Sequence, residues 1–270
     1  MLEIPKLELH VAHSCNLACE SCSHYSNHAH KGLIALDDAA AWMGQWSPRL
    51  SPLEFSLLGG EPAIHPHLAD FVTVTRAHWP ETQIDVVTNG LLLSRHPDLP
   101  RRLAEAGKSQ IIVSIHHGSE EYKQRLEPVW TLLSGWMEAY GINVSYRPSH
   151  ENWTRRYWGY GAAMMPFEDK APRSSWEKCP AKYCPQLMES GIWKCGPLAY
   201  LPMQVRKFRL SEKWAPYLEY RPLPPGSSDA ALSEFFSRQE EPSCAMCPAS
   251  PEAFGLPLPD RVKRGRAFPE

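Results

Sequence analysis

Short runs of β-branched residues alternate with amphipathic stretches over the first 147 residues of the chain. The runs predict strands at residues 6–12, 53–58, 84–88, 110–115 and 142–147, and the stretches predict helices at 37–46, 67–79, 98–106 and 120–140. This alternation is typical of βα units on a parallel sheet. Five or six units are too few for a closed eight-stranded barrel, so we expect an α/β fold with an incomplete TIM-like (β/α)5–6 barrel.

The pattern changes after Arg147. Periodicity fades, the 26 prolines become dense, and the five later cysteines lie between residues 172 and 251. We therefore expect a partial barrel at residues 1–147, an aromatic and basic linker at 148–171, a small cysteine-rich, loop-rich module at 172–258 and a short basic tail at 259–270.

Composition narrows the class of protein. No apolar run reaches the roughly 18 residues of a membrane span, and the opening residues MLEIPKLELH lack the layout of a signal peptide. We therefore expect a soluble cytoplasmic protein with no membrane partner. Eight cysteines in such a chain favour metal ligation or redox chemistry. The net charge of −2 provides no global attraction to nucleic acid, so any polyanion contact must come from local patches.

Three cysteines follow the first predicted strand. Cys15, Cys19 and Cys22 have the spacing C-x3-C-x2-C, in a loop that leaves the carboxyl end of a parallel strand, where barrel enzymes keep their sites. Three thiolates can hold three irons of a 4Fe-4S cluster and leave the fourth iron open. The alternative is a structural zinc ion, which needs four closed ligands, one of them a nearby histidine. The candidate histidines are His13, His24 and His28.

A second motif follows the second predicted strand. Gly59 and Gly60 let the backbone approach a ligand closely, and Pro62 stiffens the exit after Glu61. The pairing of C-x3-C-x2-C with GGEP resembles the radical SAM superfamily, whose members use a reduced cluster to split S-adenosylmethionine (SAM) and release a 5'-deoxyadenosyl radical. The resemblance covers residues 6 to 147 and extends to later strand ends, at Thr88, Asn89, Gly90 and Ser114.

The resemblance implies the cofactor-binding residues. Cys15, Cys19 and Cys22 would ligate the cluster, while the SAM amino and carboxylate groups chelate the open iron. The backbone carbonyls of residues 59–62 would accept hydrogen bonds from the SAM amino group. The side chains that would line SAM are Thr88, Asn89 and Ser114. Electrons would come from a reductant such as flavodoxin or ferredoxin.

Two further SAM contacts are expected. Arg125 or Arg147 would pair with the SAM carboxylate, although a solvated salt bridge explains each arginine at least as well. The family usually has an aromatic residue immediately before the third cysteine, packed near adenine, and here that position is Ser21. We expect Tyr25 to take over the stacking.

The later cysteines form a second group. C-x4-C-x10-C is followed, after a long gap, by C-x2-C. With the glycine before Cys195, the group resembles the auxiliary-cluster modules called SPASM or twitch domains, although three residues instead of four separate that glycine from the cysteine. The resemblance implies a second 4Fe-4S cluster, most simply on Cys184, Cys195, Cys244 and Cys247. A structural zinc ion on the same residues is the alternative.

Cys179 is then spare. It could donate a hydrogen atom to a product radical, serve as an alternative cluster ligand, or be an unreactive buried thiol.

The substrate is less well indicated. The segment WTRRYWGYG, residues 153–161, interleaves Arg155 and Arg156 with aromatic residues, which suits stacking on bases and neutralising phosphates. The segments VRKFR, 205–209, and RVKRGR, 261–266, add positive charge. The alternative is a linker whose aromatic side chains pack between barrel and module, with surface arginines.

The stretch CNLACESCSHYSNHAHKG also resembles compact radical SAM proteins of bacteria and their phages, some of which rearrange an amino-acid group on modified thymine in viral DNA. This favours an isomerase that acts on a glycinyl group of hypermodified thymidine, in the host cytoplasm if phage-encoded, with nucleic acid or nucleotide as partner. The alternatives are a twitch-type maturase or epimerase of ribosomal peptides and a zinc-stabilised, non-enzymatic binding protein.

Overall fold

The structure, a computed structural model, describes residues 1–259. Its strands are β1 (Leu2–Ala12), β2 (Leu50–Gly59), β3 (Gln83–Thr88), β4 (Ser109–Ser114), β5 (Asn143–Arg147), β6 (Gln186–Met188) and β7 (Gly191–Trp193). Its α-helices are α1 (Leu36–Trp46), α2 (Leu68–His78), α3 (Leu99–Ala106), α4 (Glu120–Tyr140), α5 (Pro172–Glu177), α6 (Gly196–Lys207), α7 (Ala215–Leu218) and α8 (Asp229–Ser237). The βα alternation predicted for the first 147 residues is confirmed.

One seven-stranded sheet has the order β5-β4-β3-β2-β1-β6-β7. Strands β1 to β5 pair in parallel with their sequence neighbours, each joined to the next by one of the helices α1 to α4. Because all five strands point the same way, the loops that follow them open at the same end of the sheet. The expected α/β fold with an incomplete barrel is confirmed.

Within the cysteine-rich segment, β6 and β7 form an antiparallel hairpin. It does not stand apart from the barrel, because β6 pairs in parallel with β1 through Glu8 to Gln186 and Leu9 to Leu187. The barrel's own sheet therefore holds the hairpin that Cys184 and Cys195 flank.

Two buried clusters hold these parts together. The larger one fills the space between the sheet and its helices and includes Trp46, Phe55 and Trp79. The smaller one lies where the first cysteine loop, the linker and α6 meet, and its largest members are Tyr25, Tyr157, Tyr200 and Trp214. The linker thus contributes buried aromatic area, which agrees with the packing alternative for Tyr157.

The basic tail predicted at residues 259–270 lies outside the described residues except for Pro259, and so does the segment 261–266. None of the helices within residues 1–259 has the length and apolar character needed to cross a bilayer.

Candidate functional site

A single cavity of about 330 Å³ lies at the carboxyl ends of the parallel strands and is bordered by the cysteine-rich segment. All eight cysteines of the chain contribute to its wall, three from the loop after β1 and five from the later group. The wall also includes predicted site residues from the ends of β2 to β5, which are Gly59, Gly60, Glu61, Thr88, Asn89, Ser114 and Arg147. The topology therefore brings together two cysteine groups that are about 160 residues apart in sequence.

The two glycines of the GGEP turn hold the first cysteine loop. Gly60 N donates to Ala12 O at 2.7 Å, and Glu61 N donates to Ser14 O at 2.8 Å. A Cβ at Gly59 would lie 2.5 Å from Ala12 O, and one at Gly60 would lie 2.3 Å from Ser14 O. The backbone of the turn makes a close approach, as predicted. What it approaches is the chain's own loop beside Cys15, where a ligand was expected. The glycines thus position the loop that carries Cys15.

The Glu61 side chain is buried beneath the turn. Its carboxylate accepts hydrogen bonds from Thr88 Oγ1, from Asn89 N at 2.8 Å and from Ala63 N at 3.0 Å. Burial nevertheless raises the pKa of Glu61 to about 7, because loss of hydration outweighs the three donors. Glu61 therefore joins the GGEP turn to the end of β3, and Thr88 faces this carboxylate as well as the cavity.

Glu61 predicts a pH dependence of stability. Its pKa rises from 4.5 in the unfolded chain to about 7, so between these pH values the folded chain keeps a proton that the unfolded chain releases. As the pH rises through this window, the free energy of unfolding should fall by about 1.4 kcal/mol per pH unit, and above about pH 7 it should level off. Glu61→Gln should lack this fall in denaturant titrations at about pH 5 and about pH 7. An unchanged slope in the variant would contradict the prediction.

Asn89 connects the end of β3 to the cysteine loop. Its Nδ2 donates to Asn16 Oδ1 at 2.7 Å, and Asn16 is the residue after Cys15. Pro62 does not border the cavity; it begins a short 3₁₀ helix, Pro62–Ile64. The carbonyls of Glu61 and Pro62 already accept from Ile64 N and His65 N, which favours the carbonyls of Gly59 and Gly60 as acceptors for a ligand's amino group.

The contacts of Ser21 explain why a serine, and not an aromatic residue, precedes the third cysteine. Its backbone is left-handed, with φ of 55°, and its buried Oγ accepts from Arg156 N at 2.7 Å and Tyr157 N at 3.3 Å. Nearby, Trp153 Nε1 donates to Glu20 O at 2.8 Å, and Arg155 forms a salt bridge with the Glu20 carboxylate. A serine here docks the linker onto the cysteine loop, a contact that no local pattern indicated.

Tyr25 does not face the cavity. Its ring is 1% exposed, lies 5.3 Å from the Tyr157 ring, and its hydroxyl donates to Pro197 O at 3.3 Å. The stacking role expected for Tyr25 stays a prediction, and this position does not favour it, because the ring is enclosed in the smaller buried cluster. Among the described residues, the aromatic rings in the cavity wall belong to His24, His116, Trp153 and Trp176.

The two arginines proposed for the SAM carboxylate lie in different places. Arg147 ends β5 and borders the cavity. Arg125 is on the exposed face of α4 and is not part of the wall, which favours Arg147 for the expected carboxylate contact. Helical periodicity alone could have placed Arg125 outward, because Leu126 and Val129 form the buried face.

The later cysteines form an electrostatically coupled group. Burial, followed by the neighbouring thiolates of Cys179 and Cys247, raises the pKa of Cys195 well above its ordinary range. Burial raises the pKa of Cys247 to about 12, with Cys179 and Cys244 adding to the rise. Burial also raises the pKa of Cys244, and Cys179 again contributes. Buried thiols that destabilise one another's charge suit a metal cluster, which binds them as thiolates.

Cys184 has a different environment. Burial raises its pKa first, the Glu8 carboxylate second, and Cys179 is the one cysteine among its main influences. Glu8 was not predicted as a site residue, although a glutamate inside a strand that is otherwise buried could have indicated it. It borders the cavity, accepts from Gln186 Nε2 at 2.5 Å and lies 3.4 Å from Lys6 Nζ.

Both zinc alternatives stay predictions. Within residues 1–259, no three His, Cys, Asp or Glu side chains converge as ligands of a single ion. His28 Nε2 is 3.1 Å from the Tyr157 hydroxyl, and its Nδ1 accepts from Gly161 N at 3.3 Å. His13 Nδ1 is 2.9 Å from His10 Nδ1. These two histidines already have other partners.

The chain is similar to known proteins in sequence and in fold. Residues 9–139 match the family model described as the radical SAM superfamily. A comparison with curated proteins gave no match. BtrN in complex with AdoMet and 2-DOIA is similar in structure, with a TM-score of 0.49, 18% identity, and coverage of 79% of this chain and 85% of that one.

Two other solved structures are similar over a shorter region. Streptococcus suis SuiB bound to S-adenosylmethionine has a TM-score of 0.43 and 17% identity over 55% of this chain, which spans 36% of SuiB. Native anSMEcpe with bound AdoMet and Cp18Cys peptide has a TM-score of 0.41 and 15% identity over 54% of this chain and 42% of its own. From the match over residues 9–139, the chain carries a domain of the radical SAM superfamily, whose members cleave SAM at an iron–sulfur cluster.

Proposed function

We propose that the chain is an enzyme that removes a hydrogen atom from a substrate held between the barrel and the cysteine-rich segment. The supporting observation is the single cavity that all eight cysteines border together with the ends of β2 to β5. Cys15, Cys19 and Cys22 would hold a 4Fe-4S cluster there. When SAM is bound and a reductant such as flavodoxin or ferredoxin supplies one electron, the cluster and SAM would provide a 5'-deoxyadenosyl radical.

The protein's own residues position these groups. Gly60 and Glu61 hold the backbone before Cys15, and Asn89 holds the residue after it. Gly59 and Gly60 provide carbonyls for the SAM amino group, and Arg147 provides a charge for its carboxylate. Ser114 and Thr88 complete the wall on the side of β3 and β4. On the linker side, Tyr25 of the segment that follows Cys22 packs against Tyr157, with the ring centres 5.3 Å apart.

A second 4Fe-4S cluster on the later cysteines is part of the proposal. The coupling of Cys179 with Cys195, Cys244 and Cys247 favours these four as ligands, with Cys184 as the spare thiol. This differs from the set expected from the sequence, in which Cys184 was a ligand and Cys179 was spare: a hydrogen donor, an alternative ligand or an unreactive thiol. Since a metal-bound thiolate carries no hydrogen to donate, the donor role of Cys179 is not part of this proposal.

Iron counting distinguishes the two ligand sets. The reconstituted wild type should contain about eight irons per chain. Cys179→Ser should lose about half of them, while Cys184→Ser, the matched control, should keep the full number. If Cys184→Ser alone lost iron, the ligands would be the set expected from the sequence, in which Cys184 is a ligand and Cys179 is spare. Zinc in place of the second group's iron and sulfide, in protein purified without oxygen, would support a structural zinc ion.

For the substrate, we propose a glycinyl group on hypermodified thymidine in phage DNA. Hydrogen is removed from the carbon next to nitrogen, the group migrates, and hydrogen is returned, so that the product is an isomer of the substrate. The cavity supports an anionic, aromatic partner because its wall carries Arg147 and Lys182 together with the rings of Trp153 and Trp176.

The carboxylates of the wall do not oppose an anion strongly, because the chain itself binds them. Lys6 Nζ lies 3.4 Å from the Glu8 carboxylate, Arg238 lies 2.8 Å from that of Glu241, and burial raises the pKa of Glu61 to about 7. Arg155, by contrast, offers little to phosphate, because Glu20 neutralises it. The positive charge available to a substrate thus lies inside the cavity more than along the linker.

DNA binding across a salt series tests the substrate class. Lys182→Gln should weaken binding and reduce the magnitude of the salt slope by about one. Arg155→Gln is the matched control and should change the slope less, since its charge is already paired. If neither salt nor either substitution changed the affinity for DNA, nucleic acid would be excluded as the substrate. Binding of a small precursor peptide under the same conditions would instead favour a twitch-type maturase or epimerase.

A further inference from the structure

The basic segment 205–209 forms one side of an open groove on the surface. The groove has a volume of about 540 Å³ and lies where the chain leaves α6 and enters α7. Three of its lining side chains are cationic and one is acidic, and all four are exposed: Arg206, Lys207, Arg209 and Glu212. Because the whole chain has a net charge of −2, the groove is a local excess of positive charge.

Two of these cations are not neutralised by the protein. Within residues 1–259, no carboxylate lies within salt-bridge distance of Arg206 or Arg209, whereas the neighbouring Lys213 is paired with Glu168. Arg206 lies in the last turn of α6, where a cation also complements the helix dipole. Arg209 lies beyond the end of the helix, so the dipole does not account for it. The groove therefore presents positive charge to an external ligand.

The third cation connects the groove to the wall of the cavity. Lys207 Nζ donates to His28 O and Ala29 O, each at 2.7 Å. These carbonyls belong to the short 3₁₀ helix Ser26–His28 and its end, and Asn27 of the same helix borders the cavity. A single turn of the chain thus separates this edge of the groove from the cavity.

The aromatic linker reaches the same turn. The Tyr160 ring stacks on the His28 ring with centres 4.4 Å apart, and the Phe208 ring meets the His28 ring edge-on at 5.7 Å. The Tyr160 hydroxyl donates to Asn27 O at 3.3 Å. The two segments in which cations and aromatic rings alternate, 153–161 and 205–209, therefore meet between the groove and the cavity.

Helix α6 gives the distance between the two sites. Its first residues, 196–198, border the cavity, and its last residues, 205–207, line the groove. At 1.5 Å per residue, this helix of 12 residues spans about 18 Å. A stacked DNA strand advances about 3.4 Å per nucleotide, so about five nucleotides cover the distance.

We propose that the groove binds the phosphates of a DNA strand whose modified nucleotide occupies the cavity. Enzymes that act on a base take its nucleotide out of the stack, so contacts to the flanking strand help to hold the substrate. Arginine suits this role because its guanidinium binds phosphate through paired hydrogen bonds. The inference rests on the nucleic-acid substrate of the proposed function, and it adds a second binding site outside the cavity.

Binding of oligothymidylates of about 4 and about 20 nucleotides, across a salt series, tests the inference. Wild type should bind the longer strand more tightly, because only that strand can reach cavity and groove together. The double variant Arg206→Gln/Arg209→Gln should reduce this advantage by about tenfold at about 0.1 M salt. The magnitude of the salt slope for the longer strand should fall by about 1.4, since each lost phosphate contact removes about 0.7. Lysine at both positions keeps the charges and should restore most of the advantage.

Arg173→Gln is the matched control, because Glu177 and Glu240 lie 2.7 and 2.9 Å from its guanidinium and already pair its charge. The control should keep the advantage of the longer strand. Equal losses in the control and the groove variant, or none in the groove variant, would overturn the inference and leave DNA as the substrate class. A groove variant that binds DNA normally but flavodoxin more weakly would also overturn it. Wild type that binds neither strand would overturn the substrate proposal together with the inference.

Discussion

Cys19→Ser is expected to reduce 5'-deoxyadenosine formation by at least about a hundredfold, because loss of a direct metal ligand exceeds the effect of losing the groups that orient ligands. Cys19 is 5% exposed and borders the cavity beside Cys15 and Cys22. Serine keeps the size of the side chain but provides a poor ligand for iron, since clusters of this kind are held by thiolates. The measurement is 5'-deoxyadenosine released per chain from reduced, reconstituted protein.

Ser23→Ala is a suitable control for this variant. It removes a polar atom from the same loop and the same cavity wall without touching a predicted ligand, so it should retain its iron and form 5'-deoxyadenosine at a rate near that of the wild type. If Cys19→Ser retained full product formation, Cys19 would not be a ligand and the assignment of the first cluster would fail.

Gly60→Ala should have the second large effect. Its Cβ would lie 2.3 Å from Ser14 O, 2.6 Å from Ser14 C and 2.8 Å from Ser26 Oγ. Two of these atoms belong to the backbone that leads into Cys15, so the loop must move. We expect the free energy of unfolding to fall by about 1–3 kcal/mol, as for other overpacked sites. Iron content should fall as well, because the displaced loop carries Cys15, which we propose as a cluster ligand.

Gly135→Ala controls for the change of residue type. Gly135 is exposed within α4, and an added Cβ would have no neighbour within 4 Å, so the variant should be more stable by up to about 1 kcal/mol. Denaturant titration and iron analysis compare the two variants. Equal stability and equal iron content would show that the close approach of Gly60 to Ser14 does not hold the loop.

The barrel and the first cysteine loop were predictable because their patterns are local. Each of the first five strands is a short apolar run that ends near a glycine, a polar residue or a cysteine, and parallel pairing then brings these ends together. Cys15, Cys19 and Cys22 lie within eight positions, so their spacing was visible without knowledge of the fold.

The misplaced or missed residues depend on contacts between distant segments. Tyr25 is enclosed because Tyr157 and Pro197 pack on it, and both lie more than 130 residues away. Ser21 holds the linker through bonds to residues 156 and 157. Spacing alone could not rank Cys179 against Cys184, because the difference arises from Glu8 on β1, which β6 brings beside Cys184.

The most direct test of the central claim is the electron paramagnetic resonance (EPR) spectrum of the reduced, reconstituted protein with and without SAM. The claim is that Cys15, Cys19 and Cys22 leave one iron of their cluster open to SAM. The account predicts that SAM changes the spectrum, and that a variant with Cys15, Cys19 and Cys22 replaced by alanine lacks this change while keeping the signal of the second cluster. Identical spectra with and without SAM, from protein with its full iron content, would contradict it.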